Sequence, residues 1–357
     1  MKGKLTAVSG GGAKGPACFL LEAEGRRLLF DLGYGPQPGL WPDVSSVGKV
    51  DALLLSHAHR DHAGGLKLLP DVGKPPLYLS EPLAHLLKEH AIGGIFPLNG
   101  ASQVEGWTVT TGRNGHAPGG VWIHVATCGG VLYMGDCSRE SLIYAYDPPP
   151  PARVVIVDAS YASYESTLAD CAQALEARCA GRDVLLPVPP GGRAPEIALN
   201  FTRKGVVPAL DDAVRQATAW LAAEHGESAL PEVRGELARI ARDAPAIAGR
   251  GIMLAAPADG TAGVTARLIA EYEHASGPDI VFTGYLPPGT PAERLTKSGR
   301  ATYIRWNVHP RLSDNVALAR SVSAEIVVPA FGAPKVAAEW QEAFAPARVV
   351  LSRTVEL

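Results

Sequence analysis

The chain lacks the features of secreted, membrane-bound or fibrous proteins. Its 357 residues contain five cysteines (Cys18, Cys128, Cys137, Cys171 and Cys179), an odd number with no C-x-x-C pair. That excludes both a disulfide framework and a cysteine-built zinc site, and it fits a reducing cytoplasm. Apolar runs of signal-peptide or membrane-spanning length are also missing. "MKGKLTAVSGGG" carries two lysines and no hydrophobic stretch, and charges interrupt "CFLLEAEGRRLLF". A soluble, unsecreted, cytoplasmic protein with no membrane partner is expected. Charged residues make up 19% of the chain, with a net charge of -3 and no block of one sign, so a basic nucleic-acid-binding tail and a disordered chain are both excluded. Any nucleic-acid site must be local. There is no internal repeat, and Pro148 to Pro151 form the one low-complexity stretch, read as a stiff surface connector.

What is present is a large apolar fraction, 46%, enough for a real core. The length exceeds one ordinary domain, so two packed units or one domain with a large insertion are expected. The first half reads as short strands separated by glycines: "CFLLEA" and "RRLLFDLG" around a Glu-Gly turn, then "VDALLLS", "WTVTTG", "GGVWIHVA" and "GVLYMGD". From about Tyr164 helices and strands alternate, as in "STLADCAQALEARCAG", "DVLLPV", "GGRAPEIALNFTRKG", "DDAVRQATAWLAAEHG", "RGIMLAAP", "TAGVTARLIAEYEHA" and "DIVFTGY". This is the pattern of a separate α/β unit with a parallel sheet. After Tyr303 come the helix "NVALARSV", the strand "EIVVPAF" and a last helix "KVAAEWQEAF".

Ten histidines occur in the chain, and three of them fall within six positions of "LLLSHAHRDHAGG", where a leucine run stops. In this H-x-H-x-D-H pattern His57 and His59 alternate and can point to one side of an extended segment, while Asp61 and His62 come off the next turn. One loop can thus serve two adjacent ions. Imidazole and carboxylate together suit zinc, with manganese or iron matching the same ligand types. Further ligands should come from loops on the same sheet edge. His116 in "NGHAPGG" lies in a glycine-rich turn between strands, and Asp136 in "YMGDC" ends a strand where a carboxylate can bridge two ions. Alone, either could be an ordinary turn or strand-end residue; following the cluster in this order, both become ligand candidates. His85, His90, His124, His225 and His274 lie on helix-like or alternating stretches and are read as ordinary. "SGGGAKGP" is not an ATP-binding loop, because no Lys-Ser or Lys-Thr follows at the required spacing and Pro16 interrupts a helix start.

The succession "SHAHRDHAGGL", "NGHAPGG" and "YMGDCS" resembles the metallo-β-lactamase fold, a four-layer αββα sandwich with its metal site at one sheet edge. Four later segments resemble the β-CASP branch of that fold, the group of RNase J and the cleavage-and-polyadenylation nuclease. They are "VVIVDASYAS" for motif A, "VLLPVPPGGRAPEIALNF" for the proline strand and GRxxE helix, "IVFTGYLPPGTPAERL" for the glycine-tyrosine strand and "WNVHPRLSDN" for motif B. "SGGGAKGP" is similar to the branch's N-terminal glycine strand. The resemblance covers most of the chain from about Ala7 to Ala343. It implies an α/β protein: a metallo-β-lactamase domain in residues 1–162 and 303–357, and an inserted β-CASP-like α/β domain in residues 163–302 that roofs the metal cleft. No appended RNA-binding module is expected after the last helix.

Carried over by position, the resemblance gives the first ion to His57, His59 and His116, the second to Asp61 and His62, and the bridge to Asp136. Asp158 would be the motif A acid and His309 the motif B histidine, so that Asp61, Asp158 and His309 are the catalytic candidates. Asp31 in "FDLG" matches a position that orders the loop beneath the ions. The pattern breaks once: the strand after motif B should end in histidine-glycine, and here "EIVVPAFGAP" puts Phe331 in that place, with no other His, Asp, Glu or Cys between Glu325 and Glu339. The expectation is therefore a zinc centre, with manganese as an alternative, in which one site is tight and the second weak or vacant.

Two metals a few ångströms apart lower the pKa of a shared water and neutralise a phosphate under in-line attack. The expected reaction is phosphodiester hydrolysis by metal-held hydroxide, with His309 facing the phosphate or protonating the leaving oxygen and Asp158 orienting it. Arg294, Lys297, Arg300, Arg305 and Arg311 follow one another with no acidic residue between, and Tyr303 and Trp306 lie among them. Such a stretch can bind phosphates and stack bases of a single strand, or simply be a solvated face. Arg193 can touch a phosphate or pair with Glu196 one turn on. Arg193, Arg305 and Arg311 are the substrate-binding candidates, and single-stranded nucleic acid, RNA ahead of DNA, is the expected partner, with a homo-dimer left open. Two other classes compete: a hydrolase of small thioesters or lactones, which would not need the inserted unit, and a non-catalytic nuclease-like scaffold, which Phe331 keeps in view.

Overall fold

A computed structural model of the protein describes residues 3–87, 92–223, 227–274, 277–332 and 337–357. His90 and His225 lie outside the described residues. By its internal contacts the chain divides into two compact units, one made of Met1–Arg139, Ala145–Glu165 and His309–Leu357, the other of Glu140–Tyr144 and Ser166–Val308.

The first unit is built on two seven-stranded sheets. Strand alternation explains its layers. In Cys18–Ala23 and Arg26–Phe30, Phe19, Leu21, Leu28 and Phe30 point to one face and Cys18, Leu20 and Leu29 to the other. The first set meets Val109, Val121, Ile123, Val125, Tyr133, Ile156 and Val328 of the second sheet in a core between the sheets. The second set is covered by the loop and helical segments from Val44 to Leu83. On the outer side of the second sheet, Leu132, Val155, Val157 and Val327 pack on Leu318, Trp340 and Phe344 from the helices Leu312–Ser321 and Ala337–Phe344. The order helix, sheet, sheet, helix is the αββα sandwich that the family resemblance implies.

Strand direction is what makes a site. In the first sheet Arg26–Phe30, Ala52–Leu54 and Leu77–Ser80 run parallel. In the second, Val131–Tyr133, Val154–Asp158 and Ile326–Ala330 do the same. Neighbouring parallel strands end at the same edge, so Asp31, Ser56 and His57 leave one sheet together, and Asp136, Asp158 and Phe331 leave the other.

The second unit is a five-stranded, all-parallel sheet in the order Ala209–Leu210, Ile252–Ala255, Val184–Pro187, Asp279–Phe282, Ala301–Tyr303. Val184 and Leu186 face the helices Leu168–Cys179, Arg193–Arg203, Asp212–Ala223 and Pro231–Asp243, whereas Leu185 faces Gly263–Tyr272 and Pro291–Lys297. Helices on both faces explain why these strands read as continuous apolar runs. The helix Pro231–Asp243 is absent from the sequence-based expectation, although Pro231 at its first turn and Val233, Leu237, Ile240 and Ala241 on one face mark it. Its many charges mask that spacing.

Three further details depart from expectation. The N-terminal strand is Gly3–Ser9, and the glycine run forms a loop after it. Residues 303–308 group with the second unit, because Ala301–Tyr303 is its fifth strand and Asn307 Nδ2 donates to Ser166 O at 2.6 Å. Trp306, expected among the base-stacking groups, is fully buried in the second unit's core, where its Nε1 donates to Glu196 Oε2 at 2.7 Å. All five cysteines are buried free thiols. No helix among the described residues is long and apolar enough to cross a membrane.

Glu196 itself is a buried carboxylate. Burial pushes its pKa up, against hydrogen bonds from Trp306, Ser141 and the Leu142 amide. Trp306→Phe keeps an aromatic ring but removes one donor from that acceptor, and should lower stability by about 1–3 kcal/mol, read from the chemical-denaturation midpoint. A midpoint equal to wild type would show that the Trp306 donor is dispensable.

Candidate metal centre

The His57–His62 loop starts where Ala52–Leu54 ends, and a buried carboxylate organises it from below. Asp31 adopts a left-handed backbone (φ 54°) directly after its strand. Its Oδ1 accepts from the Ser56 amide at 2.7 Å, and its Oδ2 accepts from the Ser56 hydroxyl at 2.7 Å and the Tyr133 hydroxyl at 2.5 Å. The same Oδ2 lies 2.7 Å from His62 Nδ1, so the His62 ring is oriented with Nε2 facing away. Ser56 Oγ in turn sits 3.0 Å from His57 Nδ1. Fixing the outer nitrogen of a ligating imidazole in this way sets its tautomer and direction. Asp31 thus ties the loop from below through Ser56 and His62.

Around Asp136 the remaining side chains converge. His62 Nε2 is 3.2 Å from Asp136 Oδ1, while His116 Nε2 and His57 Nε2 are 3.5 and 3.9 Å from Oδ2. His116 reaches the site from a tight loop: its amide donates to Asn114 Oδ1, and Gly115 (φ 72°) passes so close to Ser138 that a Cβ there would lie 2.0 Å from the carbonyl oxygen. His59 Nδ1 is 3.1 Å from His116 Nε2. His57, His59, His116 and Asp136 each offer a ligand atom to one group, and Asp61, His62 and Asp136 form a second that shares Asp136. Thus the six ligand candidates come together around Asp136, and a third group joins Asp136 to Asp158 and His309. His85, His124 and His274 belong to no such group among the described residues.

Do these residues fit a cation? Ligands about 2.0–2.1 Å from a tetrahedral ion stand about 3.4 Å apart, and the separations above bracket that value. His57 Nε2, His62 Nε2 and Asp136 Oδ1 are buried with no hydrogen-bond partner, and a buried polar atom left so is costly unless something else satisfies it. The residues fit. Burial, reinforced by the neighbouring imidazoles, pushes the pKa of His57 far down; burial also lowers His59, to about 4. For His62 burial acts the same way but is outweighed by Asp136 and Asp31, which raise its pKa. Asp136 is held well below the usual carboxylate range, its burial more than offset by His62, His309 and His116.

Beside this set, His309 Nδ1 lies 2.8 Å from Asp158 Oδ2 and 3.8 Å from Asp136 Oδ2. Asp158 is fully buried and also accepts from the Cys137 and Ser160 amides, so the strand-end acid fixes one nitrogen of a partly exposed imidazole. Tyr161 packs edge-on against the His309 ring at 5.0 Å. Phe331 follows Ile326–Ala330 with φ 63° and its ring 4.8 Å from that of His62. Gly332 after it is required, since a Cβ would stand 2.0 Å from Ala159 O.

The basic candidates are more occupied than their sequence implies. Arg311 forks onto Asp314 at 2.8 and 2.9 Å, Arg294 reaches Glu273, Lys297 reaches Glu293, and Arg300 donates to the Glu273 carbonyl. Arg305 Nε donates to the Tyr303 hydroxyl at 3.3 Å. Arg193 lies against Gly284, and the Glu196 oxygens are taken by Trp306, Ser141 and Leu142. Sequence reasoning missed Ser56, Tyr133, Tyr161 and Lys14; the first two adjoin motif residues, the clearest available signal. Lys14 Nζ is 3.5 Å from Asp61 Oδ2. Burial disfavours both charges, yet each holds the other ionised: Asp61, Asp136 and Asp158 raise the Lys14 pKa, and Lys14 and His62 lower that of Asp61.

Two stacked sheets with a His/Asp centre at the ends of their parallel strands define a metallo-β-lactamase fold, and residues 11–180 match the metallo-beta-lactamase superfamily. That match covers just under half of the chain, whose motifs resemble the β-CASP branch of the superfamily. It is 28% identical over 217 residues to "Ribonuclease TTHA0252" of Thermus thermophilus, covering 51% of this chain and 50% of the relative. It is 27% identical over 230 residues to "RNase J-like protein" of Methanocaldococcus jannaschii, covering 54% and 53%. The match thus spans about half the length of each relative. Over the full length of both chains it has the fold of a protein of unknown function from Enterococcus faecalis V583, with a TM-score of 0.62 at 16% identity.

His59→Ala should take up much less added divalent metal than wild type on elemental analysis; equal metal content would remove His59 from the ligand set. Because the His57 and His59 pKa values are depressed, both imidazoles stay neutral well below the ordinary histidine range. Protons should compete for these ligands only as the pH falls toward about 4. Between about pH 8 and pH 6, where an ordinary histidine would begin to protonate, His57 and His59 should therefore contribute little to any change in metal affinity measured by equilibrium dialysis.

Proposed function

We propose that the protein is a metal-dependent phosphodiester hydrolase that cuts single-stranded nucleic acid, RNA ahead of DNA. The observation that carries the reading is the pairing, at one strand edge, of a His/Asp metal centre with an adjoining acid-histidine couple, Asp158 and His309, which meets the centre at Asp136. A lactone or thioester hydrolase needs the first and not the second. The names of the two relatives, a ribonuclease and an RNase J-like protein, support the same reading.

His57, His59, His116 and Asp136, with Asp61 and His62 adjoining, would hold zinc, or manganese in its place, which when bound would activate a water and neutralise phosphate charge. The chain's own groups do the rest. Asp31 and Ser56 keep the His62 and His57 rings turned toward the centre. Asp158 fixes Nδ1 of His309, so that the ring's Nε2 is the nitrogen available to a scissile phosphate or to the oxygen that leaves. A positioned imidazole of this kind can hold a proton for the leaving group. Arg311 is proposed as a phosphate contact of the first unit, exchanging Asp314 for a phosphate, and Arg193 and Arg305 as phosphate contacts of the second.

The test is incubation of the purified chain with labelled single-stranded RNA, single-stranded DNA and a chromogenic lactone, with and without chelator. Cleavage of RNA that stops on chelation is expected. Hydrolysis of the lactone alone, or of nothing, would overturn the reading. His309→Ala should lower kcat by roughly 10²- to 10⁴-fold with metal content unchanged; undiminished turnover would remove His309 from the mechanism.

A further inference from the structure

The set of ligands for a second ion is one short, and a cation already stands beside it. Asp61, His62 and Asp136 surround that position, but the next strand end brings the ring of Phe331 against His62, and a phenyl group cannot ligate. On the other side Lys14 extends its ammonium to 3.5 Å from Asp61 Oδ2. The two features share one piece of backbone. The Phe331 amide donates to the Gly10 carbonyl at 2.7 Å, and Gly11 bridges Ala330, so the loop that carries Lys14 is fastened to the strand end that carries Phe331.

We propose that Lys14 takes the electrostatic place of the second metal: the centre is built for one divalent ion, on His57, His59, His116 and Asp136, with the Lys14 ammonium neutralising Asp61. An ammonium is a compact single charge with three donors and no need of a coordination shell. It satisfies a carboxylate without the ligand that Phe331 withholds, and it repels a divalent ion from the same oxygen. The inference rests on the proposed reading of the cluster as a metal centre, but not on the nature of the substrate.

Zinc titrated into the chelator-stripped full chain, by calorimetry and by elemental analysis after desalting, tests it without any activity measurement. Wild type and Lys14→Arg should each take up one ion. Phe331→His alone should still hold one tightly, because the ammonium remains, whereas Lys14→Met with Phe331→His should hold two. Two tight ions in wild type would overturn the proposal, as would a Phe331→His single variant that binds two as tightly as the double. Should the double variant fail to fold by circular dichroism, Lys14→Met alone decides: loss of the like charge should raise affinity for a second ion by roughly tenfold or more, and an unchanged second-ion affinity overturns the proposal. No ion in wild type would overturn the metal reading as well, while one ion without RNA cleavage would overturn the nuclease reading alone.

Discussion

A carboxylate removed from water must find a counter-charge, and Asp136 is where this chain meets that demand. It is almost fully buried at a strand end, with His57, His62, His116 and His309 around it. Those four imidazoles come from three separate stretches of sequence, and they reach Asp136 only because two sheets stack with their parallel strands ending at one edge. A change in strand order in either sheet would leave the carboxylate buried without compensation. The sandwich and the centre are therefore one construction: the core between the sheets fixes the spacing, and the strand ends supply the ligands.

Much of this was readable beforehand, for a physical reason. Ligands in H-x-H-x-D-H are local in sequence, and a strand followed by a short loop constrains where they point. His116 and Asp136 could be added because each sits at the end or turn of an apolar run, which alternation makes visible. The four-layer arrangement followed from the same runs once the family resemblance was in hand.

What was not readable depends on partners far apart in the chain. The basic stretch from Arg294 to Arg311 looks unneutralised only because Glu273, Glu293 and Asp314 lie outside it or on an adjoining turn. Trp306 looks like a base-stacking ring until Glu196, 110 residues away, takes its donor inside the core. The helix Pro231–Asp243 is narrow in its apolar face, and the last strand of the second unit ends where a boundary was expected. Lys14 sits in a segment whose glycines dominate any reading of it, and nothing in that segment tells where its ammonium lands.

The bond from the Phe331 amide to the Gly10 carbonyl also bears on how such a chain can change over time. Position 331 and the loop before Pro16 are joined by this bond and by the neighbouring bridge from Gly11 to Ala330, so a replacement at one alters the surroundings of the other. A histidine placed at 331 in a chain that has Lys14 would face a resident positive charge, and a chain with Phe331 but without the lysine would leave Asp61 without the ammonium beside it. Neither step alone restores a balanced site. Among relatives that diverged from a common ancestor, the two positions should therefore be inherited as a pair: aromatic with basic, or histidine with an uncharged or acidic residue.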